Sequence, residues 1–355
     1  MNMNRWIARW ENEGGALLPT ERVTEEGARE RSQAETAQTT GLRRILVPID
    51  FSPPSLKTLR YAELLAARFG AKLHLVHVVT PPLFFPARRA TLGWAFSETA
   101  VVRNAKKRLK KLTAEFSLPP RPDPFTVRVE PAAEEISEVA RVTDADLIAI
   151  ATRGYTGLKH AFLGSTTERV VRAAPCPVLV VRAKEDESRE NRSRRRRSPL
   201  QFRKILVPVD FSDSSRLGLE YAVRVARAFR AHLILFHSVF VHAFVLSDTD
   251  TARAVPNLIS EQQDYAKDEM EKLRQWTAKK DLEVETRIAV GFPVETIGDY
   301  VVKQDVDLII TSTHGQSGLR RAITGSTAEH LVRHATCPVL VVPNRSLRKK
   351  IKAAA

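Results

Sequence analysis

The chain has 355 residues, 43% hydrophobic and 27% charged, with a formal net charge of +15 and two cysteines. That length exceeds one ordinary core and predicts two domains of globular composition. No apolar run approaches the roughly 20 residues that cross a bilayer, no secretory apolar segment opens the chain, and two cysteines exclude a disulfide framework, so a reducing cytoplasm is the expected compartment.

Residues 1–42 are rich in Glu, Arg, Gln, Thr and Gly, and predict a disordered N-terminal extension. Trp6, Ile7 and Trp10 stand at helical spacing within it. Order is expected from 43 onward. Ile45 to Asp50 is an almost fully apolar run, the pattern of a strand buried on both faces of a parallel sheet. Ser52 followed by Pro53 reads as an N-cap with Pro at the first helical position, and Tyr61, Leu65 and Phe69 mark one face of the helix that Gly70 ends. Lys72 to Val79 is the second strand, and 80–96, with three prolines, an irregular connection. A basic helix follows over Glu98 to Phe116, exposing Arg103, Lys106, Lys107, Lys110 and Lys111. Phe125 to Val129 is strand three, Glu134 to Arg141 a short helix, Leu147 to Ala151 strand four and Pro177 to Val181 strand five.

The whole pattern then repeats. Ile205 to Asp210 matches Ile45 to Asp50 at an offset of 160, as do Tyr221, Val225 and Phe229 for their counterparts. Beyond the variable middle the offset is 161, so Gly315 matches Gly154, Gly325 matches Gly164 and Cys337 matches Cys176. This is a duplication, with domains at 43–183 and 202–344, a charged linker at 184–201 and a basic tail at 345–355. Arg192 to Arg197 and Arg345 to Lys352 hold much of the positive excess outside the repeats and read as solvated segments, with nucleic acid expected only as a non-specific contact. Strands alternating with helices predict an α/β fold: two doubly wound domains, each a five-stranded parallel sheet flanked by helices. The apolar edge strands Val178 to Val181 and Val339 to Val342 predict an intramolecular pseudo-dimer, since pairing covers both edges.

The chemistry concentrates between Ala151 and Ser165, and again between Ser312 and Ser326. A strand, a glycine-bearing loop and a helix N-terminus in sequence make an anion-binding geometry at the carboxyl edge of a sheet. The spacing Gly154, nine residues, Gly164-Ser165 is neither a Walker A loop nor the Rossmann fingerprint. Gly164 suits close backbone approach, and Ser165 is expected to cap the helix and serve a phosphate. Asp50 and Asp210 end the first strands, and two readings stay open for each: a ribose or water-bridged metal contact, or a turn carboxylate accepting from Phe51 and Ser52, or from their counterparts in the second half. His77 and His237, among Leu and Val, read as hydrogen-bonded core histidines, and Cys176 and Cys337 as buried fillers. No Ser/His/Asp set, metal-ligand spacing or carboxylate pair accompanies the loops, so no catalytic residue and no protein-held metal is expected.

These residues resemble the universal stress protein family, in a tandem form. The carriers are Ile45 to Ser52 and Ile205 to Ser212, both loops, and the endings Cys176 to Val181 and Cys337 to Val342. The resemblance implies strand order 3-2-1-4-5 in each half and an ATP site, Mg accompanying the nucleotide. It implies that Pro48, Asp50, Val78, Ala151, Gly154, Gly164, Ser165 and Thr166 line the first site. Pro208, Asp210, Ser238, Ser312, Gly315, Gly325, Ser326 and Thr327 line the second. The family's first loop glycine is replaced by Ala151 and Ser312, and its Gly and Pro before the third helix survive as Gly291 and Pro293 in the second half alone. The expected function is a cytoplasmic stress-response factor, not an enzyme beyond slow ATP hydrolysis. It would bind ATP or a related adenine nucleotide at one or both loops and act on a protein partner, with a homodimer left open. The alternative is an interaction module with vestigial loops, whose basic linker and tail hold acidic partners.

Overall fold

The structure, a computed structural model, describes residues 41–79, 93–116, 124–129, 131–152, 163–182, 201–240, 249–313 and 326–344, the backbone alone for 93–99, 249–255 and 326. The proposed extension before 41, most of the linker and the tail after 344 therefore lie outside the described residues, as do Gly154, Gly315 and Gly325. The first half runs β1 (Arg44–Pro48), α1 (Pro53–Phe69), β2 (Lys72–Val78), α2 (Gly93–Glu115), β3 (Phe125–Arg128), α3 (Ala132–Val142), β4 (Leu147–Ala151), α4 (Ser165–Ala173) and β5 (Val178–Val181). The second runs β6 (Lys204–Pro208), α5 (Asp213–Phe229), β7 (His232–Val239), α6 (Thr249–Ala278), β8 (Val284–Val290), α7 (Pro293–Lys303), β9 (Leu308–Ser312), α8 (Ser326–His334) and β10 (Val339–Val342).

Local chemistry sets the element ends. Ser52 caps α1 with its hydroxyl accepting from Ser55 N–H at 3.4 Å, and Pro53 fills the first turn, where a missing N–H costs nothing. Ser212 does the same for α5, from Ser215 N–H at 3.1 Å. Gly70 ends α1 in the left-handed conformation at φ 64°, and the equivalent residue after α5 is Arg230 at φ 51°. Helix α2 begins five residues earlier than its amphipathic pattern indicates, inside the stretch read as irregular.

Ten strands form one sheet in the order β3-β2-β1-β4-β5-β10-β9-β6-β7-β8. Each half has the expected order 3-2-1-4-5 with parallel neighbours throughout. The halves join through β5 and β10, which pair antiparallel with Val339 opposite Val180, Leu340 opposite Leu179 and Val341 opposite Val178. Because that pair is antiparallel, the carboxyl ends of the first five strands point one way and those of the second five the other.

The core is continuous across this seam. On one face α1, α2, α5 and α6 cover Ile45, Val47, Leu179, Ile205, Val207 and Leu340. On the other α3, α4, α7 and α8 cover Ile148, Val178, Val180, Ile309, Val339 and Val341. Aromatic rings bridge the halves, with Phe69 5.9 Å from Phe229 edge-on and Tyr61 6.2 Å from Phe202. Arg68 Nε donates to the Ala228 carbonyl, and Arg182 donates to the carbonyl of His334 at 2.7 Å and to that of Ala335. Arg333 reaches Glu168 at 3.1 Å. Burial of the Tyr221 hydroxyl, beside Cys176 and Asp146 of the first half, pushes that phenol far above its ordinary value.

Candidate functional site

Strand order reverses between β1 and β4, and between β6 and β9, which is where a doubly wound sheet opens a crevice at its carboxyl edge. Every described candidate falls at that edge. Pro48, Val78 and Ala151 are the last residues of β1, β2 and β4; Asp50 lies two residues past β1; Gly164, Ser165 and Thr166 enter α4. In the second half Pro208 and Ser312 end β6 and β9, Asp210 follows β6, Ser238 is next to last in β7, and Ser326 and Thr327 open α8. The two crevices open at opposite edges of the sheet, so one small ligand cannot span both.

Asp50 is first of all a turn carboxylate. Its Oδ1 accepts from Ser52 N–H at 2.9 Å and from the Ser52 hydroxyl at 2.5 Å, and Asp210 repeats this with Ser212 at 3.1 and 2.6 Å. The expected bond to the N–H two residues on is therefore present in both halves, with the serine hydroxyl as a second donor. The intervening residues, Phe51 and Phe211, both sit at φ 63°, left-handed backbone that costs a bulky side chain about 1–2 kcal/mol. The turn throws each ring onto the histidine of the neighbouring strand, Phe51 to His77 at 4.8 Å and Phe211 to His237 at 4.4 Å.

Those histidines are core groups. His77 Nδ1–H donates to the Ile49 carbonyl at 2.6 Å, and His237 Nδ1–H to Val209 at 2.8 Å. Burial holds both imidazoles below their ordinary value, and Arg108, whose guanidinium lies 3.8 Å from the Phe51 ring, adds to this at His77. Cys176 and Cys337 are buried thiols, not disulfide-bonded.

The loop after β4 returns to its root. Gly164 N–H donates to the Thr152 carbonyl at 2.8 Å, and Thr167 Oγ1 donates to the Ala151 carbonyl at 2.7 Å, seating the N-terminus of α4 directly over the end of β4. The expected cap is corrected here. Gly164 is itself the N-cap residue, at φ −62° and ψ 139°, and Ser165 is the first residue of the helix, with no side-chain capping bond. Ser165 is exposed instead, at a helix end whose N–H groups favour anions. Thr167 was not singled out by sequence because the duplicate carries Ala328 there, and comparison of the halves hides it.

The replaced glycine also finds an account. A side chain at Gly218 of α5 would stand 3.7 Å from Ser312 Cβ. The equivalent pair in the first half is Thr58 with Ala151, so the bulk at the strand end is traded against the helix facing it. The halves differ at the crevice rim as well. Ser238 Oγ donates to the Gly291 carbonyl at 2.7 Å and lies 3.1 Å from Thr296 Oγ1, with Gly291 at φ 143°, a conformation reserved to glycine. The first half places Val78 there and an ion pair, Arg128 with Glu135 at 3.4 Å.

The universal stress protein family profile matches residues 41–182 and 201–343, and the chain belongs to that family, with two copies of its domain. A universal stress protein of Mycolicibacterium smegmatis is 24% identical over 308 residues, covering 85% of this chain and 97% of the relative. One from Methanocaldococcus jannaschii is 31% identical over 142 residues, 40% of this chain and 82% of the relative. The crystal structure of a universal stress protein from Archaeoglobus fulgidus superposes with a TM-score of 0.57 at 21% identity, over 84% of this chain and 96% of that one, which matches the fold. Among the described residues no helix is long and apolar enough to cross a membrane.

Proposed function

We propose that the protein binds an adenine nucleotide, ATP or a close relative with its Mg, at the crevices, and signals occupancy to a protein partner in a stress response. The observation that carries this reading is the seating of the α4 N-terminus over the end of β4 by the Gly164 and Thr167 bonds, beside Asp50 at the strand-order reversal. A helix N-terminus with an exposed hydroxyl suits the phosphates, and a carboxylate across the crevice suits a ribose or a water on Mg. The donor set fits: Ser165 and Thr166 would face phosphate oxygens, Asp50 the sugar or the hydrated metal, and the backbone at Val78 the base. In the second half Ser326 with Thr327, Asp210 and Ser238 take these roles, with Gly154, Gly164, Gly315 and Gly325 giving the loop backbone its close approach. Mg would supply charge neutralisation to the phosphates.

The second crevice is expected to bind more tightly, because Gly291 shapes its rim and Ser312 is accommodated against Gly218. Gly164→Val is a clean test, since its φ and ψ are ones that valine adopts. The variant should fold, with about 1 kcal/mol lost at the cap, while its branched side chain obstructs close approach. Calorimetric titration with Mg·ATP should show binding to wild type, a smaller loss of binding in Gly164→Val than in Gly325→Val, and no binding in the double variant. Equal affinity in wild type and the double variant, or no heat from wild type at about millimolar ATP, refutes the reading and leaves the interaction module.

A further inference from the structure

We infer that the exposed face of α2 is a docking surface for the phosphate backbone of a nucleic acid, read without regard to base sequence. Helix α2 buries Ala105, Leu109 and Leu112 and turns Arg103, Lys106, Lys107, Lys110 and Lys111 to solvent. Among the described residues the one ion pair on this face is Lys111 with Glu115 at 3.8 Å.

The duplication supplies an internal control. Helix α6 occupies the same place in the second half and buries Ala266 and Met270 where α2 buries Ala105 and Leu109. Yet Arg103, Lys107, Arg108 and Lys110 are matched there by Asp264, Asp268, Glu269 and Glu271. Helix α6 neutralises itself through Lys267 with Asp264 at 2.8 Å, Lys272 with Glu269 at 2.6 Å and Arg274 with Glu271 at 2.7 Å. The fold therefore does not need the cations of α2, which repel one another at i,i+3 and i,i+4 spacing. A polyanion laid along this face would relieve that repulsion.

The occupant follows from charge density. The five cations lie within about 12 Å of helix axis, a length over which a duplex presents about seven phosphates. The α6 of a second copy is a poorer match, because Asp264, Glu269 and Glu271 are each paired within that helix. A membrane is disfavoured because Leu109 and Leu112, the large apolar residues of the described turns around these cations, are spent in the core. The inference is independent of the nucleotide reading, since α2 lies on the α1 face of the sheet and none of the crevice candidates belongs to it.

The test uses the full chain and a fluorescent mixed-sequence DNA duplex, titrated over a range of salt. Wild type should bind, with log K falling against log salt at a slope of roughly −3 to −5. Replacing Lys106, Lys107, Lys110 and Lys111 by Gln should weaken binding at least about tenfold at low salt and flatten the slope by about one per residue. The same variant should melt no lower than wild type, because like-charge repulsion is relieved, so that lost binding is not lost folding. Asp264→Arg, Asp268→Lys and Glu271→Lys introduced together into α6 should strengthen binding. Unchanged affinity and slope in the glutamine variant overturn the inference, most directly if neutralising Arg194 to Arg197 abolishes binding instead. Binding to anionic phospholipid vesicles without binding to the duplex overturns it in favour of a membrane surface.

Discussion

If the two halves share one core, damage on one side of the seam must be felt on the other. Leu340 in β10 is 2% exposed and lies opposite Leu179 in β5, itself fully buried, on the face covered by α1 and α5. Leu340→Ala removes three carbons, about 2.4 kcal/mol at about 0.8 per buried carbon. Close packing on both sides of the seam restricts relaxation, so a cavity contribution should bring the total to about 3–4 kcal/mol. With a urea slope of about 3 kcal/mol per molar for a unit of this size, the midpoint should fall by about 1 M. Hydrogen exchange measured along the urea series separates the halves, because peptides covering β1 and β4 report on one and peptides covering β6 and β9 on the other. Both sets should lose protection together, at one midpoint, in wild type and variant. A variant in which β6 and β9 open early while β1 and β4 keep the wild-type midpoint would refute the shared core and leave two separate domains that merely touch.

Two further outcomes follow from local features. Arg230 holds the left-handed position after α5 that Gly70 holds after α1, so Arg230→Gly should raise stability by about 1 kcal/mol, read as a higher melting temperature, with a fall in Tm counting against the strain argument. His77, His237 and His334 all titrate below the ordinary imidazole value of 6.5, burial being the first cause in each. The unfolded chain therefore takes up protons as pH falls below about 6.5 while the folded chain does not. Stability should be full above that pH and decline as pH falls toward the lower folded values. Asn at both 77 and 237 keeps a donor for the Ile49 and Val209 carbonyls and should flatten the decline; an unchanged pH profile would mean these imidazoles titrate normally.

Much of this architecture was legible in the residues because burial leaves a periodic trace. Runs such as Ile45 to Ile49 admit one reading when they recur 160 residues later, and Val178 to Val181 with Val339 to Val342 announced edges that needed covering. The strand order itself came from the family resemblance, and the sheet shows it in both halves. Boundaries were less legible where the signal was compositional. Helix α2 starts within a stretch whose prolines read as irregular, because tertiary packing and not propensity decides such an end.

The site was harder to read, since its residues act through backbone geometry that no side-chain pattern encodes. Nothing in Asp50-Phe51-Ser52 shows that Phe51 turns left-handed, and a small residue would be the ordinary expectation there. The price of that turn is offset by the ring's contact with His77, a residue twenty-six positions away that only the sheet brings near. At the helix start the residues were legible only in part: the Gly164 dihedrals suit any residue, and Ser165, expected to cap, begins the helix instead. Conformation does not demand glycine at 164, so the expectation of close backbone approach there is what Gly164→Val tests. At 151 and 312 a side chain is present and the helix opposite has adjusted, Thr58 facing the smaller residue and Gly218 the larger. At these positions the bulk of the strand end and of the helix facing it change together between the halves, a packing relation that holds whether or not the crevice is occupied.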